Sequence, residues 1–248
     1  MTSTRIVAFT VALAAVACGL PGATDRVVTV VVTATEEPSA PSPTRPPVAT
    51  ELAPTAAPNV SGLEAQTVDL IESFADEGYL ESTSGAFYPI ADFNETWAQL
   101  NWYQWWDTGF APKDFVISAH TAWESASDTA NWWNSGCGFV FRERGEDDHY
   151  LAYLGMDGWV YLSRVKGGNW ASLGENAYGH LDVPKGEADV VLLVQGRKIH
   201  FFVNGEHVLS RDDLQDTEGL LGLTLLSGTN KGFGTRCIMD EIALWEIQ

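Results

Sequence analysis

Basic residues are scarce in this 248-residue chain: 14 Lys and Arg stand against 33 Asp and Glu, a formal net charge of −19. Phosphate binding depends on clustered cations. No basic patch interrupts the acidic background, so nucleic acid is excluded as a partner. Long apolar runs are missing as well. The stretch IVAFTVALAAVA (6–17) has twelve residues, where a bilayer span takes about 20, and no other stretch is long enough to cross. Cysteine is limited to three positions with no C-x-x-C pair, which leaves no basis for thiol redox cycling. The five histidines (120, 149, 180, 200 and 207) show neither H-x-x-x-H nor H-E-x-x-H spacing. No serine sits in a G-x-S-x-G elbow, and G-x-G-x-x-G is absent.

What is present begins with an export pattern. Arg5 is the only early charge, and the short apolar run after it ends in small residues directly before Cys18. The string AVAC (15–18) resembles a bacterial lipobox, with Ala15 where the commonest version has Leu. The resemblance implies a signal peptide over 1–17 and a lipidated Cys18 as mature N-terminus, hence attachment to the outer face of a bacterial membrane. The alternative is ordinary signal cleavage near this point, with Cys18 incidental. Pro, Thr, Ala and Ser then dominate, as in TATEEPSAPSPTRPPVATELAPTAAPNVS (33–61). Such composition buries too little apolar surface to offset ordering entropy. Residues 18–61 are therefore expected to be a disordered tether, reaching at most on the order of 130 Å in polyproline conformation.

The head, 62–248, opens with apolar Val68, Ile71, Phe74 and Ala75 at helical spacing and Gly78 as a stop. A short helix is expected there, and strands beyond it. DFVISAHTAW places Phe115, Ile117, Ala119, Thr121 and Trp123 on one face. GFVFR (138–142) and HYLAYLG (149–155) read as neighbours joined by ERGEDD. Asp157-Gly158 signals a hairpin into WVYLSRV, and Asn204-Gly205 signals another between IHFFV and EHVLS. GLLGLTLL and TRCIMDEIALWEI supply two further strands. Many short strands between glycine turns indicate an all-β antiparallel sandwich or jelly roll.

The segments GFVFRERGEDDHYLAYLGMDGWVYL, VVLLVQGRKIHFFVNGEHV and GLLGLTLL, with the closing strand, resemble the concanavalin A-like lectin/glucanase superfamily. Its laminin-G-like and 3-keto-disaccharide-hydrolase-like branches are the nearest in pattern. The likeness covers about residues 114–248 and implies a jelly-roll sandwich. It says little about function, because the superfamily includes lectins, adhesion modules and glycosidases. Its glucanases carry carboxylates alternating along one strand, as in E-x-D-x-x-E, and no such string occurs here. The keto-sugar branch offers no local motif to match. Relatives often hold calcium through loop carboxylates, but the chain has no D-x-D-x-D ladder, so no cofactor is expected, a structural calcium ion being the alternative. Cys137 and Cys237 are the cysteines left after Cys18. In an exported chain they are expected to form a bridge closing a 100-residue span, the alternative being two buried free thiols.

Aromatics are abundant, with ten Trp. In NWYQWW (101–106), read as strand or as helix, no single face holds every ring, so some aromatic surface must face outward or lie under a loop. Trp132 and Trp133 precede the strand of Cys137 in a loop, and Trp159 and Trp170 are further candidates. Most of the indoles belong in a core, with the loop pair the expected exception. Pyranose C–H faces stack on indole rings while amides bond hydroxyls. Trp132, Trp133, Trp102, Trp105, Trp106, Asn131 and Asn134 are therefore the candidate ligand residues, with an extracellular glycan or envelope polysaccharide as partner. The expectation is a surface-anchored, non-catalytic carbohydrate-binding or adhesion module. A glycoside hydrolase of the same fold and a structural protein-interaction module are the alternatives.

Overall fold

The computed structural model describes residues 60–215 and 217–248. The signal segment, Cys18 and the tether to residue 59 lie outside the described residues. Among those described, no helix is long and apolar enough to cross a membrane.

Helix α1 runs Val60–Asp76, so Val60 and Ser61, placed in the tether by composition, already belong to the helix. Its buried face is Thr67, Ile71 and Phe74. Gly78 ends it at φ +80. The Tyr79 N–H donates to the Phe74 carbonyl (2.8 Å) and the Gly78 N–H to that of Ala75 (3.1 Å). This left-handed cap satisfies carbonyls that the last turn leaves open, and the Phe74 and Tyr79 rings meet edge-on across it.

Thirteen strands follow among the described residues. The first four are β1 (Gly85–Pro89), β2 (Phe93–Trp97), β3 (Trp102–Asp107) and β4 (Phe115–Ser125). A 3₁₀ turn at Trp132–Asn134 then leads into β5 (Gly136–Glu143), β6 (Asp148–Gly155), β7 (Trp159–Lys166) and β8 (Asn169–Ala177). The last five are β9 (Lys185–Gln195), β10 (Lys198–Val203), β11 (Glu206–Arg211), β12 (Leu220–Ser227) and β13 (Thr235–Ile247). They form two antiparallel sheets. One has the order β1-β13-β4-β9-β10-β11, with β2 also paired to β13; the other has the order β3-β12-β5-β6-β7-β8. The layout is that of a jelly-roll sandwich.

The expected hairpins are in place. Asp157-Gly158 lies between β6 and β7, and Asn204-Gly205, both at positive φ, lies between β10 and β11. At Gly158 (φ +83) an added Cβ would sit 1.6 Å from the Gly179 carbonyl oxygen, so no side chain fits there. Strand β8 and the early strands β1 and β2 went unrecognised in the sequence. They are short or largely solvent-facing, and lack the strong alternation of β4.

Period-two alternation sends Phe115, Ile117, Ala119 and Trp123 from β4 inward, against Cys137, Phe139 and Phe141 from β5. Leu221, Leu223 and Leu225 of β12 join them. A second, smaller cluster lies on the outer face of the seven-stranded sheet. There α1 and Leu80 cover Val116, Val191, Leu193, Phe202 and Trp245.

Cys137 and Cys237 are bonded, with Cα atoms 5.9 Å apart. Because Cys137 lies on β5 and Cys237 on β13, the bridge joins the two sheets through the core, where both residues are buried. It closes a 100-residue span, which restricts the unfolded chain. Replacing both cysteines by Ala is expected to lower the unfolding free energy by about 2–4 kcal/mol. Urea titration of oxidised wild type beside the double variant checks this.

Candidate functional site

Among the described residues no helix covers the outer face of the six-stranded sheet, and the residues of that face follow from register. With Phe139 and Leu223 pointing into the core, the alternate positions point outward: Val140 on β5, Leu151 and Tyr153 on β6, Tyr161 and Ser163 on β7, Leu226 on β12, Tyr103 and Trp105 on β3. Several outward positions in the middle of the face are glycine. A Cβ on Gly138 would lie 2.5–2.6 Å from the Cα and Cβ of Tyr153, and one on Gly136 would strike the Leu154 carbonyl. Aromatic rings from β3, the 3₁₀ turn, β6, β7 and β8 stand around this face.

They enclose a cavity of about 380 Å³ lined mainly by Trp102, Tyr103, Trp133, Tyr153, Tyr161 and Trp170. Asn101, Asn134, Ser163, Ser172, Glu175 and Leu226 complete its wall. Trp102, Trp133 and Trp170 are 55%, 51% and 48% exposed, large apolar surfaces left open around one depression. Tyr103 and Trp170, from the two edge strands of the sheet, meet edge-on with ring centroids 5.5 Å apart. Tyr153 and Tyr161 stack at 5.0 Å across paired strands. A second cavity of about 460 Å³ shares Trp102 and Tyr103 and adds Gln104, Trp105, Asp107, Glu143, Glu146 and Leu220.

The tyrosine hydroxyls are held from behind. Tyr153 donates to the Trp133 carbonyl (3.1 Å), and Tyr161 donates to Asp157 Oδ2 (2.6 Å). Tyr103 shares a hydrogen bond with Nε2 of buried His149 (2.8 Å). Burial pushes the Tyr103 phenol up to about 12. Burial also raises Tyr153 and Tyr161, with the hydrogen bond to Asp157 adding to the effect at Tyr161. All three phenols are therefore neutral at physiological pH, and their rings are fixed.

The candidate residues separate into three groups. Trp102, Trp133 and Asn134 line the aromatic cavity, and Trp105 lines its neighbour, where its indole N–H donates to Glu143 Oε2 (3.0 Å). Asn131 stands behind the wall, its amide donating to the Asn101 side-chain oxygen (3.0 Å). Trp106 and Trp132 turn instead to the core, Trp106 against Phe93. Trp106 does so because alternation on β3 opposes it to Tyr103 and Trp105. Trp159 stays exposed on β7 and does not line the cavity, whereas Trp170 does. Sequence reasoning missed Tyr153, Tyr161, Ser163, Ser172 and Glu175 and left Tyr103 unassigned. Outward parity on β6 and β7 was the signal for the two tyrosines and Ser163, and β8 had not been recognised.

Other polar clusters lie on the seven-stranded sheet. His120 bonds Asp189 (2.8 Å), which raises its pKa, and His200 contacts His207 (3.2 Å). No three His, Cys, Asp or Glu side chains gather as a metal site would require among the described residues.

Burial lowers the pKa of His149. The unfolded chain, with the ordinary value of about 6.5, therefore takes up a proton first as pH falls. The stability tied to neutral His149 is complete above about pH 6.5 and is lost below it. His200, lowered to about 4 by burial, acts in the same sense, and His120 in the opposite one. The difference between wild type and a His149→Gln variant thus isolates His149. In urea titrations between about pH 7 and 5, the variant is expected to lose less stability than wild type.

No protein-family model matches the chain, and no curated protein matches it either. Among solved structures it is similar to the carbohydrate-binding module CBM66 from Bacillus subtilis. The TM-score is 0.50 at 13% identity, with 64% of this chain and 94% of that one covered. The Emp47p carbohydrate recognition domain aligns with TM-score 0.48 and 10% identity, over 68% of this chain and 100% of that one. A β-glucanase of Bacillus licheniformis gives 0.41 and 13%, over 58% and 69%. At such identities the likeness is one of fold, and the fold is the concanavalin A-like jelly roll that the strand motifs resemble.

Proposed function

We propose that the head is a non-catalytic carbohydrate-binding module and that the aromatic cavity on its six-stranded sheet is the binding site. One observation carries the reading: six aromatic rings, three of them on half-exposed indoles, enclose a depression large enough for a sugar ring. Flat apolar faces beside serine and asparagine side chains match a pyranose, which has C–H faces and hydroxyl edges. The similarity in fold to the module CBM66 is consistent with this use. Among the described residues the cavity is lined by a single carboxylate, Glu175. Glycoside hydrolysis by the common route needs two, facing each other across the bond to be cut.

On this reading Trp133→Ala and Trp170→Ala each weaken glycan binding about tenfold, the loss of one stacking partner. Trp132→Ala lowers stability and leaves affinity nearly unchanged, because Trp132 packs on the core. A glycan array followed by calorimetry on the bound members, with melting curves for each variant, tests this. Unchanged affinity in both cavity variants would remove the assignment.

We infer further that Cys18 carries the lipid and that residues 18–59 hold the head away from an outer membrane face. Metabolic labelling with a fatty-acid probe is expected to tag the chain, and Cys18→Ser is expected to abolish the tag and release the protein from membranes.

A further inference from the structure

What the cavity offers a ligand is uneven in charge. The hydroxyls of Tyr103, Tyr153 and Tyr161 are committed to His149, the Trp133 carbonyl and Asp157, so these residues present rings rather than donors. Glu175 pairs with Tyr161 across β7 and β8. Among the described residues its carboxylate has no ion pair and no hydrogen bond to a side chain. It is the one charged group among the described residues that line the cavity. Its charge is felt by both Tyr153 and Tyr161, whose phenols it helps to keep protonated. The adjoining cavity adds Asp107, Glu143 and Glu146. Among the described residues no Lys or Arg lines either one. Arg144 and Arg164 are instead drawn to Asp148, at 2.6 Å and 3.7 Å.

Aromatic faces attract a cation through their quadrupole, by about 0.5–2 kcal/mol per well-placed ring, more as water is excluded. A carboxylate among the rings adds a direct Coulomb attraction. The same carboxylates repel a uronate or a sulfate ester, and among the described residues no Lys or Arg lines either cavity to pair with such an anion. We propose that the ligand bears a protonated amine, and that the site selects amino sugars with free, non-acetylated amino groups over neutral and anionic glycans. The proposal rests on the carbohydrate reading and sharpens it, with Glu175 as the residue that sets the preference.

The test compares the full chain's affinity for glucosamine hexamer, N-acetylglucosamine hexamer, a neutral glucose hexamer and a uronate oligomer, at a pH where the free amine is protonated. The glucosamine oligomer is expected to bind about tenfold or more tightly than the acetylated one. That preference should shrink with added salt and fall severalfold in Glu175→Gln, whose melting curve should match wild type. The salt series on wild type reads the same interaction even if the variant folds poorly. Equal affinity for the two amino-sugar oligomers, or tighter binding of the neutral or uronate oligomer, would overturn the charge preference and leave the carbohydrate reading standing. Absence of binding to all four, together with an empty glycan array, would overturn both.

Discussion

The structure depends on the burial of two apolar sheet faces against each other. Every strand that contributes to the core must turn alternate residues inward, so its remaining residues face outward whatever their chemistry. Phe139, Phe141, Leu223 and Leu225 meet the first requirement on β5 and β12. Gly138, Val140, Gly222 and Leu226 occupy the positions left over. The disulfide reinforces the same contact, since it ties β5 in one sheet to β13 in the other at the heart of the core. Buried Arg142 adds a polar counterpart at one end of the sandwich: its guanidinium donates to the carbonyls of Gln215, Gly196 (2.6 Å) and Lys113 (3.3 Å). One residue there holds three connecting segments together, and burial makes those bonds costly to lose.

The two outer faces are treated differently. That of the seven-stranded sheet is apolar across Val116, Val191, Leu193, Phe202 and Trp245, and α1 closes over it with Ile71 and Phe74. That of the six-stranded sheet meets no helix among the described residues. Val140, Leu151 and Leu226 lie buried at its base, and aromatic rings stand around its depression. An uncovered sheet face of this size would be an association hazard if it were flat and aliphatic. Here it is a concave, acid-edged depression whose phenols are fixed through buried hydrogen bonds. That arrangement favours a small polar ligand with apolar faces over a protein partner, and fixed rings lose little entropy when a ligand docks.

Much of the architecture was legible in the chain itself. The alternation of DFVISAHTAW, the turn pairs Asp157-Gly158 and Asn204-Gly205, the stop at Gly78 and the lone pair of cysteines left in the head are local or pairwise signals. Each determined its element without reference to the rest, because backbone periodicity and left-handed turn positions are set by neighbours in sequence. Strand parity also divides the tryptophans of NWYQWW, but it does not say which side is core until the partner strands are known.

The membership of the cavity was decided only by tertiary structure. Tyr103 and Trp170 stand on opposite edges of a six-stranded sheet and 67 positions apart in sequence, yet their ring centroids lie 5.5 Å apart, which requires the sheet to curl. Curvature, the choice of core face and the contact of distant edges are collective outcomes of packing two twisted sheets. No short window of sequence encodes them. For that reason Trp132 and Trp133, adjacent in the chain, end on opposite sides of the wall.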